Sequence, residues 1–155
     1  MNILVISDTH GETQDAVEII KKHNPDIVFH LGDLVSDAQK IREAFDKEYF
    51  YFVSGNNDYF QALNEQNVEF EGKRIFACHG HHYGVKNGLS YLYNAAKERK
   101  ADIVLFGHTH MPLVTYMGNI LVVNPGCLNR RYSKKGTYSI VTVQKDKINA
   151  QIFLI

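Results

Sequence analysis

Five short, mostly apolar runs in this chain each stop at a glycine flanked by aspartate, asparagine or histidine, and that repetition is what most constrains the fold. Ile3–Ile6 is followed by Asp8-Thr9-His10-Gly11. Asp26–Leu31 runs into Gly32-Asp33, and Tyr49–Val53 into Gly55-Asn56-Asn57-Asp58. Arg74–Cys78 precedes His79-Gly80, and Asp102–Phe106 precedes Gly107-His108-Thr109-His110. Apolar runs of strand length read as strands buried on both faces. Open α/β sheets bind ligands beyond the carboxyl ends of their strands, where these polar groups fall. In extended chain Asp8 and His10 would point the same way, because side chains alternate with period 2.

Helical periodicity separates the first runs. Gln14–His23 has Ala16, Val17, Ile19 and Ile20 on one face, with Thr13 as the expected N-cap and Pro25 as the stop. Ser36 with Gln39 forms a capping-box pattern opening a second helix, with Ala38, Ile41 and Phe45 inward. The first third is therefore β-α-β-α-β, the order of a parallel sheet with right-handed crossovers. Val68–Glu71 and Arg74–Cys78 read as a hairpin around Gly72-Lys73. A helix from about Gly88 to Lys100 follows, with Leu89, Leu92, Tyr93 and Ala96 on one face. Leu113–Met117 and Ile120–Asn124 are joined by Gly118-Asn119, a two-residue turn. A basic loop, Arg130–Lys135, leads to Thr137–Val143, a turn near Asp146, and Ile148–Leu154. Two packed sheets with helices outside, in one domain spanning 1–155, are expected.

A chain of 155 residues can bury about two-thirds of its unfolded surface. With Lys+Arg 17 against Asp+Glu 17, no net field argues for nucleic acid or an anionic membrane as partner. No apolar run could span a bilayer, and no signal peptide opens the chain, so a cytoplasmic protein is the default. Cys78 and Cys127 make no disulfide framework and read as small, buried and reduced. A Cys/His nucleophile is the alternative, without a local signature to support it.

The strand ends collect Asp8, His10, Asp33, Asn56, His79, His108 and His110. Seven oxygen and nitrogen donors exceed what one metal needs and suit two, with one carboxylate shared. A set without thiolate favours divalent ions such as Mn²⁺, the first expectation, or Fe, Co, Ni or Zn. His30, inside its strand, reads as a hydrogen-bonded core histidine, whose functional use would be to partner a site carboxylate.

These motifs, in this order, resemble the calcineurin-like metallophosphoesterases. The His79-Gly80-His81-x-x-Gly84 pattern and Asn124-Pro125-Gly126 resemble the small, single-domain YfcE-like phosphodiesterases. The resemblance implies an α/β fold, a four-layer αββα sandwich of two mixed sheets flanked by helices, with a dinuclear centre. One metal would take Asp8, His10, Asp33 and His110, and the other Asp33, Asn56, His79 and His108, with Asp33 bridging. The implied reaction is hydrolysis of a small phosphodiester by a metal-bridging hydroxide. After the metal-binding Asn, most superfamily phosphatases carry a His that protonates the leaving group. Here Asn57 stands there, an amide that cannot act as an acid. His81, with His82 behind it, is the candidate acid by motif proximity. Arg130 and Arg131 either contact a substrate phosphate or form a solvated basic loop. Two other readings stay open: a phosphomonoesterase, and a non-catalytic metal-binding scaffold like the retromer subunit of this fold. Self-association is also open.

Overall fold

The computed structural model describes residues 1–59, 62–132, 135–145 and 147–155. Its order is β1 (Asn2–Ile6), α1 (Thr13–His23), β2 (Ile27–His30), α2 (Val35–Glu43), β3 (Phe50–Phe52), β4 (Glu65–Phe70) and β5 (Lys73–Cys78). Then come α3 (Ser90–Glu98), β6 (Ile103–Leu105), β7 (Leu113–Met117), β8 (Ile120–Asn124), β9 (Thr137–Gln144) and β10 (Lys147–Leu154). One sheet runs β10-β9-β1-β2-β3 and the other β4-β5-β6-β8-β7. Both are mixed: β1, β2 and β3 are parallel while β9 and β10 are antiparallel, and β5, β6 and β8 are parallel between two antiparallel edges.

The alternation along β1 shows how the layers stack. Ile3 and Val5 pack between the sheets against Ile75, Ala77, Ile103 and Leu105. Leu4 and Ile6 face the other way, onto Ala16 and Ile20 of α1 and Ala38 and Ile41 of α2. The second sheet turns Phe76, Val104 and Val122 onto Leu92, Ala95 and Ala96 of α3. The result is the expected αββα sandwich, with β1 buried on both faces. Among the described residues, no helix is long and apolar enough to cross a membrane.

Local details differ from the sequence expectations. Thr13 and Ser36 lie inside their helices, and Glu12 and Leu34 hold the N-cap positions without a side-chain cap bond. The α2 terminus is capped from a distance instead, because Asp58 Oδ1 accepts the Val35 N–H at 2.8 Å. The β4–β5 turn is Glu71-Gly72, one residue earlier than Gly72-Lys73, with both residues at positive φ (49° and 71°). The turn expected near Asp146 falls on a residue outside the described set, as do Ser133 and Lys134 of the basic loop.

Candidate metal centre

Five strands converge on the site. β1, β2 and β3 of the first sheet lead to Asp8 and His10, Asp33, and Asn56, while β5 and β6 of the second lead to His79, His108 and His110. The expectation that Asp8 and His10 share a face of extended chain is not met. β1 ends at Ile6, and Asp8 and His10 lie at φ 54° and 43°, in the left-handed region. Asp33, His108 and His110 are left-handed too, at 48°, 68° and 58°. Such conformations cost non-glycine residues of order 1–3 kcal/mol and persist where surrounding bonds hold them.

Three side chains do the holding. Asn129 Nδ2 donates to the carbonyls of Thr9 and His10 at 3.2 and 3.0 Å. Asp58 accepts from the N–H groups of Asp33 and Gly55 at 3.0 and 2.9 Å as well as from Val35. Asn124 Nδ2 donates to Gly107 O at 2.9 Å and Thr109 Oγ1 at 3.0 Å. Glycine is demanded by close approach at three points of the site, and a Cβ on Gly32 would stand 2.6 Å from the backbone nitrogen of Gly55. A Cβ on Gly55 would stand 2.0 Å from Asp33 Oδ1, and one on Gly107 2.1 Å from Ser7 Oγ.

The donor atoms suit cations. His79 Nδ1 donates to Leu31 O at 2.6 Å, which turns Nε2 toward the site. That atom faces Asn56 Oδ1 at 3.1 Å, His108 Nδ1 at 3.2 Å and Asp33 Oδ1 at 3.6 Å. The oxygens of Asn56 and Asp33 beside this nitrogen bring lone pairs that a cation among them would satisfy. His10 Nε2 is buried, has no hydrogen-bond partner among the described residues, and lies 4.0 Å from Asp33 Oδ2. Asp8 Oδ1 meets His110 Nε2 at 3.0 Å, and its Oδ2 accepts from Ser7 Oγ at 2.5 Å and His108 N at 3.2 Å. Two trios each bring three ligand atoms, one per residue, within 4.8 Å of one another: Asp8, His10 and His110, and Asp8, Asp33 and His79.

Electrostatics follow from this crowding. Burial alone would raise the Asp8 carboxyl, but the His110 hydrogen bond and nearby His79 outweigh it and hold Asp8 below the usual carboxylate range. The bond to Asp8 raises His110, whereas burial and then the charge of His79 lower His108. Burial, helped by His82, His79 and His108, pushes His81 down to about 4, so its ring is uncharged at neutral pH.

The other sequence candidates fall as follows. Asn57 sits over Asp33, and His81 lies beside the histidines, its ring centroid 5.3 Å from His79 and 6.0 Å from His108. Arg130 pairs with Asp15 of α1 at 3.2 Å, and Arg131 is exposed, its N–H held by Asn129 Oδ1. Neither arginine lines the cleft; the carbonyl-binding Asn129 ahead of them turns the chain so that Tyr132 does. Lys86 also lines it, and the Tyr132 ring leans on the His10 ring, centroids 4.6 Å apart and planes tilted by 43°. Sequence reasoning missed both, since nothing local marks them.

His30 is buried as expected, but its partner is a hydroxyl rather than a carboxylate. Nδ1 accepts the Gly32 N–H at 3.3 Å, and Nε2 meets Thr9 Oγ1 at 3.1 Å. Thr9 Oγ1 donates on to Asp37 at 2.8 Å, and Asp37 also accepts the Gly11 N–H at 2.7 Å. Cys127 lies beneath Asp8, its thiol donating to the Asp8 carbonyl at 3.1 Å, and burial raises it to about 12. Burial raises Cys78 as well. Thiols held protonated in this way are inert, so the Cys/His nucleophile is set aside.

The family profile of the calcineurin-like phosphoesterase superfamily domain matches residues 1–146, and the chain belongs to that family. It is 31% identical to the probable metallophosphoesterase YsnB of Bacillus subtilis (strain 168), over 99% of this chain and 90% of that protein. It is 33% identical to the phosphodiesterase MJ0936 of Methanocaldococcus jannaschii, covering 81% and 83%. The crystal structure of a predicted phosphoesterase from Streptococcus pneumoniae TIGR4 superposes with a TM-score of 0.84 at 28% identity, over 99% of this chain and 88% of that one. A divalent-metal-dependent phosphoesterase family and the donor set described above agree.

Proposed function

We propose that the whole chain is a single-domain, cytoplasmic phosphodiesterase that works with two divalent cations on a small phosphoester. The observation that carries this reading is the convergence of seven oxygen and nitrogen donors from both sheets on one cleft, with His10 Nε2 buried and, among the described residues, unpartnered. Asp8, His10, Asp33 and His110 would hold one cation, and Asp33, Asn56, His79 and His108 the other. Mn²⁺ is the ion we assign first, and a carboxylate–imidazole–amide set also accepts Fe, Co, Ni or Zn. Bound there, two such ions would supply Lewis-acid activation of water and neutralise phosphoryl oxygens.

The chain's own residues would do the rest. Asp33 is oriented at both carboxylate oxygens by Asn57, through its backbone N–H (3.0 Å) and its Nδ2 (2.7 Å). Asn57 thereby positions the shared carboxylate and delivers no proton. His81 is neutral at the working pH, so it offers a hydrogen bond and not an imidazolium proton. Esters whose leaving group departs without protonation should be the best substrates.

The test is hydrolysis of bis(4-nitrophenyl) phosphate after chelation and after adding back Mn²⁺. Metal-restored cleavage that exceeds the rate on 4-nitrophenyl phosphate is expected. A preference for the monoester would make the protein a phosphomonoesterase. Two tightly bound metals with no cleavage of either ester would make it a scaffold.

A further inference from the structure

Beside the cleft lies a second depression of about 380 Å³ with a different character. Its walls are Val85, Leu89, Phe106, Met111, Pro112 and Leu113. The two depressions meet at Lys86, which lines both. They are also continuous through Thr109 of the groove, whose chain neighbours His108 and His110 line the cleft. Met111 stands at the groove 70% exposed, a large apolar side chain left in water next to a polar site.

Lys86 is held in a short turn, Val85–Asn87, between Gly84 and Gly88, both at positive φ (58° and 131°). Among the described residues no carboxylate pairs with it. Its charge is near enough to count against protonation of His108 and His110. An unpaired cation at the junction of a donor-rich cleft and an apolar groove matches a ligand that is anionic at one end and apolar at the other.

We propose that the phosphodiester this protein takes carries one apolar ester substituent, aryl or branched alkyl, which lies along the Val85–Leu89–Met111–Leu113 groove while Lys86 pairs with a phosphoryl oxygen at its mouth. This rests on the phosphodiesterase reading and adds the substrate class to it.

The chain has three methionines, Met1, Met111 and Met117, so ¹³C-methyl labelling gives a readout independent of catalysis. The Zn²⁺-loaded protein is titrated with benzylphosphonate and, separately, with methylphosphonate. The benzyl compound should shift the Met111 resonance and bind about tenfold more tightly, the discrimination an apolar pocket gives. Lys86→Met should weaken both phosphonates alike. Met111→Asp, at an exposed position, should narrow the difference between them. Equal affinities, or an unmoved Met111 signal, would overturn the proposal even if diester hydrolysis is robust. A shifted Met111 signal with no hydrolysis of any diester would uphold the binding surface and remove the catalytic reading instead.

Discussion

Asn57 turns both of its N–H donors onto one carboxylate, the backbone N–H to Asp33 Oδ1 at 3.0 Å and Nδ2 to Asp33 Oδ2 at 2.7 Å. The side chain that stands where an acid would be expected is thus spent on orientation. Cleavage should then depend steeply on the leaving-group pKa, with nitrophenyl esters much faster than alkyl esters. General acid catalysis is worth about 10²–10⁴-fold, so Asn57→His should raise alkyl-ester rates and barely touch nitrophenyl rates. His81→Ala should leave the dependence unchanged, because the His81 ring is neutral at the working pH. A slope that steepens in His81→Ala would identify His81 as the proton donor and refute this account.

Asp33→Asn should strip both metals. The amide keeps the shape but removes the negative charge that two cations would share, and it also sets an NH₂ group against Asn57 Nδ2 or N. Elemental analysis of the purified variant is the check. Two equivalents of tightly held metal would rule out a bridging Asp33.

The two cations should leave at different pH values. Asp8 raises His110, whereas burial and His79 lower His108. As pH falls, His110 takes its proton first, and a protonated imidazole cannot ligate. The Asp8–His10–Asp33–His110 position should empty at the higher pH. Anomalous peak heights from crystals equilibrated across pH 5–8, the span where imidazoles titrate, would show it; emptying in the reverse order would contradict it.

His30 should make the metal-free fold acid-sensitive. Its folded pKa is about 4 against an ordinary 6.5, lowered chiefly by burial. Between those values the unfolded chain binds the extra proton, so stability is unaffected above about pH 7 and falls as pH drops toward 4. The full loss is on the order of 3 kcal/mol. His30→Asn should start less stable at pH 7.5, and the gap to wild type should narrow by pH 5 in urea unfolding. A gap that is constant with pH would show that His30 does not titrate in this range.

Gly55→Ala should damage the site more than the fold. The new Cβ would stand 2.0 Å from Asp33 Oδ1, so the carboxylate must move. Overpacking of this kind costs about 1–3 kcal/mol in stability. Metal affinity should fall sharply while the far-UV circular dichroism spectrum stays that of the parent. Unchanged metal binding would show that Asp33 has room to shift.

How much of this was legible in the sequence depended on whether the cause was local. The strands, their buried faces and the seven strand-end donors are local, because apolar runs and the glycines that break them sit side by side. The cap of α2 escapes a local reading because Val35 is served by Asp58, 23 residues away. The left-handed turn at Asp8-Thr9-His10 is held by Asn129, about 120 residues downstream. Arg130 offered a plausible phosphate contact by composition, yet helix α1 presents Asp15 to it. Lys86 and Tyr132 reach the cleft only because the two sheets bring their loops to the same rim.

That rim has a mechanical consequence. Asp8, His10, Asp33 and Asn56 belong to one sheet and His79, His108 and His110 to the other, so the donors lie on opposite banks of the seam filled by Ile3, Phe29, Ile75 and Leu105. Ions bound across it would clasp the two halves of the sandwich as a rivet clasps two plates, adding their binding free energy to the cohesion of the folded state. Stripping them would loosen the molecule along its midline, and amides of β1 and β5, which flank that seam, would report the slackening before those of the outer helices themselves.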